Sequence, residues 1–248
     1  SESRGLGDVY KRQVLSGLRS KPYKLGYYSP NSTVEDVEKF QTLADAVAWG
    51  DIIILGMKPQ IFQTIDFPEN KQKIWISLLA GTTINSLKEK LGSSSEIVRT
   101  MPNLPLQVGA GATGIALDNA SAEALTIATD IFNSIGFSVC IPEFQMDALT
   151  AMSGSGPAYV FQFIDAWING GILAGLSAPV AKELAIQTLE GVVKMLKQSD
   201  QSPADFTKQV CSPGGTTIAG VYALEKGGFR GSIMDAVSAA AKRSQELG

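Results

Sequence analysis

Five apolar runs of strand length, "DIIILGM", "KIWISLLAG", "EIVRTMPN", "TGIAL" and "FSVCI", constrain this chain more than any other feature. Runs that are apolar on both faces are what strands need when helices cover both sides of a parallel sheet. Between them lie helical patterns, "TINSLKEKL" and "SAEALTIATDIFNSIG" among them. Upstream, "VLSGLRS" reads as a helix end and "YKLGYYS" as a further strand that stops at Ser29-Pro30-Asn31. The stretch "TVEDVEKFQTLADAVAWG" begins helical, with Val34, Val37 and Phe40 at helical spacing, and reads as one helix or two. This alternation predicts a doubly wound α/β domain over residues 14–143, with its ligand at the carboxyl ends of the strands. Those ends carry Ser29, Lys58-Pro59, Ala80-Gly81 and Met101-Pro102-Asn103.

After Pro142 the pattern changes. Residues 144–248 contain no strand signal, and "PAYVFQFIDAWINGGILAGL" is apolar on nearly every side, as a helix buried among others must be. "SAPVAKELAIQTLEGVVKMLKQ" is amphipathic with Ser177 placed to cap it, and an alanine-rich helix runs from Ser232 to Leu247. The prediction is a second, all-helical domain, so apolar that part of it meets another subunit.

Composition narrows the chemistry. A net charge of -3 over 248 residues, with no basic cluster, excludes a nucleic-acid partner. The chain has no histidine, which removes the commonest general base and metal ligand together; no metal site is expected. Cys140 and Cys211 are far apart and read as small buried thiols in a reducing, cytoplasmic setting. The longest apolar stretch is interrupted by Gln162, Asp165 and Asn169, too polar to span a bilayer, and no membrane role is expected. Residues 1–13 show neither helical nor strand periodicity. Residues 8–13 can be encoded by GAT-GTG-TAT-AAG-AGA-CAG, which matches the mosaic end of a library-preparation transposon, so the segment reads as a translated adapter or a disordered arm.

The segment "VCSPGGTTIAG" holds the strongest candidate site. Ser212-Pro213 sets a turn, and Gly214-Gly215 lets backbone approach a ligand without Cβ interference. Thr216 or Thr217 is placed to cap the next helix, whose free amides form a seat for a carboxylate. A capped surface turn accounts for the same residues. "SGSGPAY" has similar grammar, with Pro157 in the first turn of a helix.

Together "GMKPQ", "SLLAGTTINSL", "VRTMPNLPLQVGAGATGIA", "ALTAMSGSGPAYVFQFIDA" and "CSPGGTTIAGVYALEKGGFRGSIMDAVSAAAKRSQEL" resemble pyrroline-5-carboxylate reductases from about residue 14 to the end. The resemblance implies a Rossmann-like domain followed by a helical dimerisation domain. It implies reduction of 1-pyrroline-5-carboxylate to L-proline with NADPH or NADH, and homodimers that in some members build decamers. Cofactor contacts are implied at Ser29, Asn31, Met57, Lys58, Pro59, Ala80, Gly81, Met101, Pro102 and Asn103. Substrate contacts are implied at Ser212, Gly214, Gly215, Thr216, Thr217 and Asp200, with Thr217 facing the ring nitrogen. The end of the first recognisable strand carries no acidic residue for two ribose hydroxyls, which favours NADPH, and no arginine for a 2′-phosphate. No glycine-rich phosphate loop follows a first strand where the family has one. Residues 1–13 are expected to stand in its place, leaving a truncated Rossmann-like domain that binds cofactor poorly. A related imine reductase or dehydrogenase, and a non-catalytic regulatory paralogue, are the rival readings.

Overall fold

The computed structural model describes residues 14–15, 17–19, 22–31, 33–68, 73–118 and 120–247. The expectations for residues 1–13 lie outside these.

Strands β3 (Ile52–Leu55), β4 (Ile74–Ser77), β5 (Glu96–Met101), β6 (Gly111–Leu117) and β7 (Gly136–Cys140) form one sheet in the order β3-β4-β5-β6-β7. A separate parallel pair joins β1 (Gly26–Tyr27) to β2 (Glu38–Lys39). The helical reading of residues 34–40 is therefore corrected. Asp36 has φ 57°, a left-handed conformation that interrupts a helix, and Glu38-Lys39 pairs in register with Gly26-Tyr27 instead. Helix α1 (Leu43–Trp49) starts only after Thr42, whose side chain accepts from the Asp45 amide.

Helices α2 (Pro59–Thr64), α3 (Ile84–Leu91) and α4 (Ala122–Asn133) also belong to the α/β part. Alternation along the inner strands splits its core in two. Ile76, Val98 and Ile115 join one cluster with Phe132 and Ile131 of α4. Trp75, Ile97 and Ala116 join the other with Phe62, Leu87 and Leu91. Successive residues serve opposite faces, the arrangement that continuous apolar runs encode.

One strand departs from a parallel sheet. β6 pairs antiparallel with β5, Val98 opposite Leu117. The connection, residues 102–110, holds one short 3-10 turn, Leu104–Val108, and is too short for a helical crossover. Within this region the sequence spells G-A-G-A-T-G at residues 109–114, the spelling of a dinucleotide fingerprint. Here it enters strand β6 rather than a helix, and two of its glycines, Gly111 and Gly114, are needed for packing. A Cβ on Gly111 would lie 2.8 Å from Leu106 Cβ, and one on Gly114 2.4 Å from Leu149 Cδ1. It is no phosphate loop.

Helices α5 (Met146–Leu149), α6 (Gly156–Leu173), α7 (Ala178–Lys197), α8 (Pro203–Val210), α9 (Thr216–Lys226) and α10 (Phe229–Leu247) follow. α10 begins three residues before Ser232, and Ser177 holds the N-cap position of α7 without a side-chain bond. α8 escaped the sequence reading although Ser202 and Asp205 form a reciprocal capping box with Pro203 behind it.

The chain divides into two compact units, Ser1–Pro157 with Ser238–Gly248, and Ala158–Val237. Strands end near residue 143, but the first unit runs on because residues 143–153 bond back to the sheet. Ser244 Oγ donates to Asp147 Oδ1 at 2.7 Å, which draws the end of α10 into the same unit.

Candidate functional site

In the first unit the register Leu55, Ser77, Arg99 aligns the carboxyl ends of β3, β4 and β5 side by side. Met57-Lys58-Pro59, Ala80-Gly81 and Met101-Pro102-Asn103 therefore emerge along one edge. Lys58 and Ala80 are exposed, and Gly81 has φ 72°, a conformation glycine adopts without strain. Ser29 and Asn31 follow β1 in the two-stranded sheet. Their loop is closed by Tyr27, whose hydroxyl accepts from the Val34 amide at 3.0 Å.

Asn103 is committed to the fold at both ends of its amide. Its Oδ1 accepts from the Ala112 amide at 2.8 Å, and its Nδ2 donates to the Ser153 carbonyl at 3.1 Å. Ser153 Oγ in turn donates to the Ala112 carbonyl at 3.2 Å. Ser153 lies in a π-helical turn, Thr150–Gly154, closed by Ser155 N donating to Thr150 O at 2.8 Å. The "SGSG" stretch is thus pinned to β6 through Asn103.

A second polar knot went unnoticed in the sequence. Arg99 on β5 is 8% exposed and donates through Nη1 to Glu143 Oε1 at 2.9 Å. The same oxygen accepts from the Ile84 amide, the first residue of α3, at 2.7 Å. No local pattern announces a bond between residues 59 positions apart.

In the second unit α8 ends at Val210 with Cys211 as its C-cap and α9 begins at Thr216, so residues 212–215 form the joining turn. Gly215 N donates to Ser212 O at 3.1 Å, and Gly214 has φ 67°. A Cβ on Gly215 would sit 2.3 Å from Ser212 Oγ, so a larger residue there would displace the Ser212 side chain. The expected threonine cap is corrected. Gly215 is the N-cap, no side chain caps α9, and Thr216 and Thr217 are its first two residues. The amides of Thr216, Thr217 and Ile218 therefore have no intrahelical acceptor. Asp200 is exposed in the loop before α8, a loop tied to the last turn of α8 by Gln209 Nε2 donating to Gln201 Oε1 at 2.8 Å.

The second unit has almost no core of its own. Among its described residues only Ala181 and Ala185 are buried, while Phe161, Leu173, Leu184, Tyr222 and Met234 stand exposed. Among the described residues no helix is long and apolar enough to cross a membrane.

A family model described as pyrroline-5-carboxylate reductase dimerisation matches residues 143–247. A pyrroline-5-carboxylate reductase of Synechocystis sp. is 43% identical over 209 residues, 82% of this chain and 78% of that protein. The Arabidopsis thaliana pyrroline-5-carboxylate reductase is 41% identical over 216 residues, 85% of this chain and 78% of that protein. The crystal structure of Plasmodium falciparum pyrroline carboxylate reductase with NADP bound superposes with a TM-score of 0.89 at 36% identity, covering 98% of this chain and 96% of that one. With three strands ending along one sheet edge, an uncapped helix start behind a glycine turn, and relatives this similar over most of its length, the chain belongs to the pyrroline-5-carboxylate reductase family.

Proposed function

We propose that this chain reduces 1-pyrroline-5-carboxylate to L-proline with NADPH, working as a homodimer in the cytoplasm. The observation that carries the reading is the glycine N-cap of α9. With Gly215 in that position, the amides of residues 216–218 and the positive end of an 11-residue helix are left to an anion. The substrate carboxylate is that anion. Ser212 and Gly214 shape the turn around it, Thr217 places its hydroxyl by the ring nitrogen, and Asp200 borders the site.

The missing histidine fits this chemistry. A protonated cyclic imine brings its own proton, so the protein has to orient two molecules and stabilise charge, and needs no general base. Thr217 serves as a hydrogen-bonding guide for the nitrogen.

The strand ends of the first unit fit a dinucleotide: three aligned carboxyl ends, a left-handed Gly81 and the exposed ammonium of Lys58. NADPH, when bound, supplies the hydride for the C=N bond. Met57, Lys58, Pro59, Ala80, Gly81, Met101 and Pro102 would hold it, with Ser29 and Asn31 toward the ribose and Asn103 fixing the backbone around it. The homodimer follows from the helical unit, whose apolar surface a second copy covers.

A crystal structure with L-proline tests the reading: the carboxylate is expected within hydrogen-bonding distance of amides between residues 214 and 218. Proline bound elsewhere overturns it. Thr217→Ala is expected to lower kcat about 100-fold while the far-ultraviolet circular dichroism stays unchanged. Wild-type turnover in that variant removes Thr217 from the mechanism.

A further inference from the structure

The knot of Arg99, Glu143 and Ile84 has a consequence for the cofactor side. Arg99 projects from an inner strand and is nearly buried, a position where a guanidinium is tolerated only with a partner. Glu143 is that partner. Its Oε1 is shared between the guanidinium, at 2.9 Å, and the first amide of α3, at 2.7 Å. Helix α3 consequently has two caps. Thr83 accepts locally from the Ser86 amide, and Glu143 reaches in from the far end of the α/β part. The loop between β4 and α3, residues 78–83, is short. It is held at one end by the sheet register and at the other by the amide that Glu143 grips. Ala80 and Gly81 lie between these two fixed points. The grip of the carboxylate on that amide is thus one of the anchors between which they are held.

We infer that Glu143 and Arg99 are positioning residues for the dinucleotide: the ion pair fixes where α3 begins, and through it the Ala80-Gly81 turn against which the cofactor lies. The inference rests on the cofactor reading given above. Glu143 is also the first residue of the segment matching the dimerisation family, so a residue from that segment sets the geometry of the cofactor edge.

Two variants separate the bonds. Glu143→Gln keeps an oxygen for the Ile84 amide and loses the charge that Arg99 needs, whereas Glu143→Ala loses both. Lys88→Ala, which breaks an exposed ion pair between the same helix and Asp118, controls for general loosening of α3. In the cofactor-free chain, amide exchange in residues 80–86 is expected to rise about tenfold in Glu143→Ala, less in Glu143→Gln and not in Lys88→Ala. The KM for NADPH is expected to rise about fivefold in Glu143→Ala, with kcat at saturating NADPH and the KM for the imine within about twofold. Unchanged exchange in residues 80–86, or loss of kcat with both KM values intact, overturns the inference. A wild-type chain that binds L-proline but shows no NADPH-dependent turnover would instead overturn the functional reading, and the exchange experiment would still decide whether the pair holds the loop.

Discussion

Two residues show how much a single side chain, or its lack, decides here. Gly215 gives α9 a cap with no side chain, and any Cβ there collides with Ser212 Oγ at 2.3 Å. Gly215→Ala should push Ser212 aside and tilt the turn, weakening L-proline binding about tenfold by calorimetry while the fold survives. Unchanged affinity would mean the carboxylate lies off these amides. Asn103 shows the opposite economy. A residue expected from sequence to touch the cofactor spends its amide on Ala112 and Ser153. Asn103→Ala leaves the Ala112 amide without its side-chain partner in a part-buried setting. It should cost about 2 kcal/mol, or about 4–8 °C in Tm for a chain of this size. A Tm within a degree of wild type would show that water replaces the side chain.

Among the elements, the start of β5 is fastened to the start of α4. Glu96 Oε2 accepts from Ser121 Oγ at 2.5 Å and from the Ser121 amide at 2.9 Å. These bonds hold the Glu96 carboxyl below the ordinary glutamate value, the side-chain bond contributing most and partial burial opposing it. A carboxyl depressed in the folded state adds stability above its unfolded value, and that stability fades as pH falls through the folded one. Glu96→Gln should therefore be less stable than wild type at neutral pH, with the gap closing below about pH 4. Urea melts across that range check it; a gap that stays constant with pH would assign the effect to shape rather than charge. The same scale explains why β6 runs against β5. Nine residues cannot carry a chain back to the other end of the sheet through a helix, so Gly111 enters the sheet from the end where Met101 leaves it. The sequence reading identified both strands and missed their relative direction, which connection length alone could have supplied.

For the whole molecule, the question is what covers the second unit. A hollow lined by Trp167, Gly171, Leu176, Ala181 and Leu184 lies among helices that bury almost nothing else. A helical unit without a core is not stable in water by itself. The full chain should therefore sediment at twice its own mass, and Leu184→Arg should shift it to the monomer and lower its Tm. A wild-type monomer would leave the exposed residues unexplained and remove the second copy from the proposed function.

What the sequence determined by itself is the set of local patterns: the doubly apolar strands, the long helices of the second half, and the glycine-threonine turn at 212–217. Each is written in neighbouring residues and obeys backbone geometry that acts over a few positions. Tertiary structure alone decided which polar groups were already spoken for. It assigned Asn103 to Ser153, Glu143 to Arg99 and Ile84, and the G-A-G-A-T-G spelling to a packed strand instead of a phosphate cradle. Such pairings depend on which atoms the finished fold brings within three ångströms. Residues 50 or 59 positions apart carry no shared periodicity that could announce it.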